Sequence, residues 1–405
     1  MIAWLFVTAA LVGHFALHLA IYNRLNATGL RRRTIKRTEK AFVVTCLVIP
    51  IVIAVYGVTC LSDASQLDDI SQAIRSLTVD HLVSWPLIIR AYGIICVLSL
   101  VFFGIPWLLW RPIFGWEWIS APRQMRVVDV EKELGEPLAL TAKCRWEAKI
   151  PGNQIFQLAI EEIELPARGL PIALNGLRIA HLSDVHFTGD ISARFTEYAI
   201  EQANRWQPDM YALTGDIIDK AACIPWLVPT FSKAQAKYGR FFILGNHDTR
   251  VSDPGQIRRE MEASGWTDVG SKAIRVSLND TDVEIIGNEA PWFPKPIVSR
   301  RDVKNATESP EDILPRFLFS HSPDQISWAR QQGVMLMLAG HTHGGQGRLP
   351  LAGPILSPSW HGSRFASGDF WKPPTTLHVS RGLSGVHLLR INCRPELSLL
   401  TLRSV

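Results

Sequence analysis

Phe241-Phe242-Ile243-Leu244-Gly245-Asn246-His247-Asp248 is the stretch that decides the fold. Its first half is an unbroken apolar run, which reads as a strand buried on both faces. Gly245 then allows a sharp turn. Three residues able to bind metal or move protons follow at the strand's carboxyl end, where ligands and catalytic groups collect in α/β sheets.

The same layout occurs four more times. Leu177–Leu182 runs into Ser183-Asp184-Val185-His186, and Met210–Thr214 into Gly215-Asp216. Arg316–Phe319 runs into Ser320-His321, and Val334–Ala339 into Gly340-His341-Thr342-His343. One strand ending in Gly-Asp is an ordinary turn, and a lone histidine is an ordinary structural group. Five strand ends that each carry Asp, Asn or His read as a site. Between them Ser192–Trp206, Ile224–Tyr238, Pro254–Ser264 and Pro323–Gln332 are predicted helices. That alternation indicates an α/β fold.

The five blocks in order are Asp184-x-His186, Gly215-Asp216, Gly245-Asn246-His247-Asp248, the lone His321, and Gly340-His341-x-His343. They resemble the pattern of the calcineurin-like metallophosphoesterases, from about Asn175 to the C-terminus. Gly344-Gly345-Gln346 follows the last block. The resemblance implies a two-sheet β-sandwich flanked by helices, with metals at the strand ends. It implies hydrolysis of a phosphate ester by a pair of divalent ions, manganese, iron or zinc, that share a bridging hydroxide for in-line attack on phosphorus. In the family's pattern Asp184, His186 and His343 hold the first ion. Asn246, His321 and His341 hold the second, and Asp216 bridges the two. His247 stabilises or protonates the leaving oxygen, with Asp248 orienting its ring. A donor set of carboxylates, an amide oxygen and imidazoles suits all three metals. His181 and His378, inside predicted strands, read as structural. Lys372 and Arg381 are candidate phosphate contacts.

Charged residues are 20% of the chain, hydrophobic residues 47%, and the net charge is +5. Apolar segments are therefore concentrated somewhere. Three uncharged runs, Met1–Tyr22, Ala41–Leu61 and Ala91–Trp110, have the length of transmembrane helices. His14 and His18 lie one turn apart on the first and are read as facing a partner helix. Pro106 is placed to kink the third. The loop Asn23–Lys40 is basic, whereas Ser62–Ser84 is acidic. The positive-inside rule then puts the basic loop, and everything after Trp110, in the cytoplasm. The expected setting is the cell's inner (cytoplasmic) membrane, multi-pass. The expected domains are a membrane domain at 1–123, a linker with lead-in strands at 124–174, and a catalytic domain at 175–405.

No basic stripe is interleaved with aromatics, so no nucleic-acid partner is expected. The six cysteines are scattered without zinc or redox spacing and read as reduced and structural. Nothing in the sequence sets an oligomeric state. Membrane lipids are expected partners. Some membrane-associated bacterial members of the family cleave nucleotide-linked lipids, including UDP-2,3-diacylglucosamine in lipid A synthesis. A lipid-linked phosphodiester or pyrophosphate is thus one substrate class, and a soluble phosphoester is the other. A metal-binding sensor or scaffold without turnover is a further alternative. A transporter is disfavoured, because the spans carry almost no charge of the kind transport sites need. Pro291–Pro315, rich in Pro, Trp and charge, reads as an insertion beside the site. It is either a cap whose aromatics meet an acyl chain or a solvated loop.

Overall fold

The computed structural model describes all residues except 31, 62–76, 115–116, 299–313, 351–352 and 386. The chain divides into two compact units, Met1–Gly115 and Trp116–Val405.

The first unit is helical. Its segments Ile2–Asn26, Arg33–Cys60 and Leu87–Leu109 are long and apolar enough to cross a membrane. The basic stretch expected to be a loop is mostly helix. One helix runs to Asn26 and the next starts at Arg32. Lys and Arg are good helix formers, and their long stems let the charged ends reach water from a helix end. The third span is not simply kinked at Pro106. Helix Leu87–Ser99 passes through a π-helical turn, Leu100–Gly104, into Ile105–Phe114. Pro106 has no N–H to continue the regular ladder, and the wider turn lies just before it. His14 contacts Tyr92 Oη at 2.5 Å and the Cys46 carbonyl at 3.0 Å, and His18 contacts Thr45 Oγ1 at 3.1 Å. The two histidines thus tie the three long helices together. Of the acidic stretch, Asp63, Asp68 and Asp69 lie outside the described residues, and Asp80 sits in the short helix Val79–Ser84.

The second unit is built on two sheets. One has the order β1 (Arg123–Asp129), β2 (Gln157–Ala167), β15 (Glu396–Ser404), β3 (Arg178–Leu182), β4 (Met210–Thr214), β5 (Gly239–Ile243), β6 (Thr267–Asp268). The other has the order β13 (Gly368–Lys372), β14 (Thr375–Val379), β10 (Leu336–Ala339), β9 (Arg316–Ser320), β8 (Thr281–Asn288), β7 (Ala273–Leu278). A small ribbon pairs β11 (Arg348–Leu349) with β12 (Gly353–Pro354). Residues 124–174 supply most of β1 and all of β2. The strand β2 runs parallel to β15, which runs antiparallel to β3.

The unbroken apolar runs follow from burial on both strand faces. In β4, Met210 and Ala212 face the second sheet with Ile179, Phe241, Phe317 and Leu338. Tyr211 and Leu213 face outward, with Leu182 and Phe242, onto Phe195 and Ile200. The latter two belong to helix Arg194–Trp206, whose buried Phe195, Ala199, Ile200 and Ala203 form one stripe. That helix ends at Gln207 in the left-handed conformation, φ 56°. On the far side, Ile326 and Ala329 of helix Ile326–Gln331 cover Leu318 and Met337. The helix expected over Ile224–Tyr238 is shorter than its pattern: a 3-10 turn at Ala221–Trp226 and one helical turn at Leu227–Phe231. Pro229 removes a backbone donor the longer helix would need, whereas Pro225 stands in its first turn, where none is required.

Candidate metal centre

β3, β4 and β5 are parallel neighbours in one sheet, and β9 and β10 are parallel neighbours in the other. Their carboxyl ends meet at one edge of the sandwich. His321 Nδ1 donates to the Thr214 carbonyl at 2.7 Å, joining the end of β9 to the end of β4. The His341 amide donates to both Asp184 oxygens, at 3.1 and 3.0 Å, joining β10 to β3.

Three groups of donors result at this edge among the described residues: His186, Asp219 and His247 form a set at the margin, and the other two share a carboxylate. Asp184, His186, Asp216 and His343 form one, and Asp216, His321 and His341 the other, each with ligand atoms within 4.8 Å of one another. Asp216 belongs to both. Asn246 joins the second group, its Oδ1 lying 3.0 Å from His321 Nε2. All seven residues expected as ligands are thus brought together.

The donors fit divalent cations. His343 Nδ1 donates to the Ser384 carbonyl at 3.0 Å, and His186 Nδ1 pairs with Asp219 Oδ2 at 2.7 Å. With His321 held at Nδ1 as well, all three turn Nε2 inward, and such outer partners fix the ligating tautomer. His186 Nε2 and His343 Nε2 then face each other at 3.2 Å as two lone pairs. Asp216 Oδ2 is buried and has no hydrogen-bond partner among the described residues. Buried polar atoms are almost always partnered, and a cation satisfies all three.

The backbone is bent to make this cluster. Asp184, His186, Asp216, His341 and His343 have φ of 53°, 49°, 53°, 70° and 49°. Each costs about 1–3 kcal/mol in a non-glycine residue, which the surrounding fold must offset. Gly245 is required by close approach, since a Cβ there would lie 2.3 Å from Asp216 Oδ1. Burial opposes ionisation of Asp216, but His247 and His321 hold its carboxyl well below the usual range. Burial would lower His321, yet Asp216 raises it to about 9. Burial and the neighbouring His321 push His341 down to about 3.

The expected partnership of His247 with Asp248 is corrected. Asp248 is buried and faces away from the imidazole. Its Oδ1 accepts from the amides of Ile217 and Ile218 at 3.0 and 2.9 Å, and its Oδ2 from that of Gly245 at 2.7 Å. Burial and the charge of Asp216 push its carboxyl up to about 7. His247 Nδ1 pairs instead with Asp219 Oδ1 at 2.6 Å. Asp219 therefore holds both His186 and His247, and those two imidazoles keep its carboxyl far below its ordinary value against the effect of burial. Sequence reasoning missed it. The signal available was a second aspartate three residues beyond the Gly-Asp pair.

Lys372 and Arg381, the candidate phosphate contacts, are both engaged in ion pairs. Lys372 pairs with Glu117, and Arg381 with Glu161 at 2.6 Å and Glu396 at 3.0 Å. His181 contributes to the site at a distance. Its Nε2 donates to Thr214 Oγ1 at 2.9 Å, Thr214 to Ser183 Oγ at 2.8 Å, and Ser183 to Asp184 Oδ2 at 2.6 Å. At the insertion, the Trp292 ring packs on His341 and His321 with centroids 4.9 and 5.4 Å apart. Phe293 packs against the core and under Arg258. Arg300 and Arg301 lie outside the described residues.

A mixed α/β sandwich with paired histidine–carboxylate groups at its strand ends is the scaffold of a metal-dependent hydrolase. The family model described as calcineurin-like phosphoesterase matches residues 177–345. The metallophosphoesterase YkuE of Bacillus subtilis is 30% identical over 240 residues, covering 58% of this chain and 82% of that protein. A transmembrane protein with metallophosphoesterase domain from Bos taurus is 24% identical over 330 residues, covering 76% and 70%. The UDP-2,3-diacylglucosamine pyrophosphatase LpxG of Chlamydia muridarum is 26% identical over 275 residues, covering 56% and 84%. The chain belongs to the calcineurin-like metallophosphoesterases and is a phosphoester hydrolase.

Proposed function

We propose that this enzyme is a membrane-anchored, two-metal phosphoesterase that faces the cytoplasm and acts on a lipid-linked phosphodiester or pyrophosphate. The observation that carries the two-metal reading is the single carboxylate of Asp216 shared between two donor groups. Asp184, His186 and His343 would hold one ion and Asn246, His321 and His341 the other, with manganese, iron and zinc all compatible. Two divalent ions there would neutralise phosphoryl charge and make water nucleophilic near neutral pH. The chain's own residues do the rest. The left-handed turns aim the ligands inward, and Asp219 fixes the rings of His186 and His247. His247, part-exposed at the margin with Nε2 3.9 Å from Asp216 Oδ2, is the residue we assign to the leaving oxygen.

Two observations favour a lipid-linked substrate over a soluble one. The chain has three helices fit to cross a membrane, and one of its relatives is named as a pyrophosphatase of a diacylated nucleotide sugar. The cytoplasmic orientation rests on the Lys and Arg flanking the first two spans. The test is phosphorus release by detergent-purified enzyme with manganese, comparing a small phosphodiester, a monoester and UDP-2,3-diacylglucosamine, with Asn246→Ala as control. Control-sensitive cleavage of the nucleotide-lipid supports the reading. Cleavage of the small diester alone removes the lipid, and no cleavage with metal bound leaves a scaffold.

A further inference from the structure

We propose that Arg250 is a further catalytic residue, whose guanidinium grips the phosphoryl group beside His247; this rests on the phosphoester-hydrolase reading of the site. Arg250 closes the 3-10 turn Asp248–Arg250, directly after Asn246 and His247. One of its terminal nitrogens, Nη1, pairs with Asp219 Oδ1. The other, Nη2, lies 2.7 Å from His247 Nε2. That imidazole nitrogen is 3.9 Å from Asp216 Oδ2, the buried oxygen with no partner among the described residues, where the two donor groups meet. The guanidinium thus sits at the rim of the centre, one ring away from the shared carboxylate.

Exposure shows where a substrate must arrive. The side chains of His186, Asp216 and His321 are at most 1% exposed, whereas those of His247 and Arg250 are 14% and 17% exposed. Beside the ligand His343, whose side chain is 15% exposed, the open side of the centre is therefore lined by the imidazole of His247 and the guanidinium of Arg250. Arginine is always protonated and can only donate, so in this arrangement His247 Nε2 accepts and its Nδ1–H goes to Asp219. In this state an incoming phosphoryl oxygen meets donors from Arg250, and His247 serves the leaving oxygen only once the guanidinium has turned from Nε2 to the phosphoryl group and Nε2 has taken a proton from water. Guanidinium N–H groups suit phosphate oxygens in geometry and charge. Asp219 anchors the arginine as it anchors His247, so both are presented from one carboxylate.

The test uses full-length, manganese-loaded protein in detergent, with inorganic phosphate as the probe. Phosphate affinity by calorimetry, metal content, melting temperature and turnover are measured for wild type, Arg250→Gln, Arg250→Lys and Arg250→Ala. The expected result for Arg250→Gln is wild-type metal content and melting, phosphate affinity at least about tenfold weaker, and kcat/KM about 100-fold lower. Arg250→Lys should fall between, since it keeps charge without the fork. Added guanidinium ion should restore part of the activity of Arg250→Ala. Unchanged phosphate affinity in a metal-loaded Arg250→Gln enzyme overturns the assignment and leaves the hydrolase reading intact. Loss of metal or melting temperature in step with activity, without guanidinium rescue, reduces Arg250 to a partner of Asp219. A loaded wild type that neither binds phosphate nor cleaves any ester overturns both.

Discussion

Replacing Asp248 with alanine is expected to unfold the site rather than to detune His247. The carboxylate accepts three backbone hydrogen bonds, from Gly245, Ile217 and Ile218, and it is buried. Alanine leaves three buried donors without acceptors, at about 1–3 kcal/mol each. Water entering the space left by the carboxyl would recover part, so a net loss of about 3–6 kcal/mol is expected, built on that per-group cost. For a unit this large about 1 kcal/mol moves the melting temperature by roughly 2–4 °C, so the drop should be on the order of 10 °C. Metal should be lost with it, because Gly245 and Ile217 flank the ligands Asn246 and Asp216. Asp248→Asn keeps an oxygen for one side but turns an amide N–H₂ toward a backbone N–H on the other, so its loss should be smaller and of the same kind. The assay is tryptophan-fluorescence melting of detergent-purified protein, with metal content measured alongside. An Asp248→Ala protein that melts as wild type, holds its metal and loses only turnover would refute the argument and return Asp248 to His247.

Thr214→Val interrupts the donor chain from His181 to Asp184, and should weaken manganese binding about 10–100-fold with the fold kept, as titration against a chelating indicator would read. Gly340→Ala places a Cβ 1.8 Å from Ser183 Oγ and 2.3 Å from Asp184 Oδ2, so about 1–3 kcal/mol of stability and most bound metal should go, seen by melting and metal analysis. Chelation should lower the melting temperature of the protein and manganese should restore it. The loss is about 2.7 kcal/mol for each ion that had been present at a hundred times its dissociation constant.

The five site strands were legible because parallel strands buried on both faces read as unbroken apolar runs, and each broke off at a polar ligand. The basic stretch between the first two spans misled, because charge suggested a loop where Lys and Arg extend helices. Asp219 was missed. Its one mark is its place three residues beyond Asp216, past Ile217-Ile218, and only the left-handed turn at Asp216 brings it back to His186 and His247. Asp248 misled in the opposite sense. Adjacency in sequence suggested partnership with His247, but consecutive side chains on a tight turn diverge, and the nearer acceptor need was three backbone amides. The place of β15 between β2 and β3 has no local signal, since it depends on pairing residues far apart in the chain.

That last strand has a consequence for how the protein is made. As translation proceeds, the hairpin of β1 with β2 and the block that starts at β3 emerge as separate pieces, each with a bare sheet edge. Neither can close on the other until β15 leaves the ribosome and slides between them. The apolar spans are by then long synthesised. The nascent enzyme must therefore wait, tethered and unfinished, with two adhesive edges exposed. A ribosome that stalls or terminates just short of β15 would release no weakened enzyme but an aggregation-prone chain, and the residues of β15 act as the step that commits the whole domain to folding.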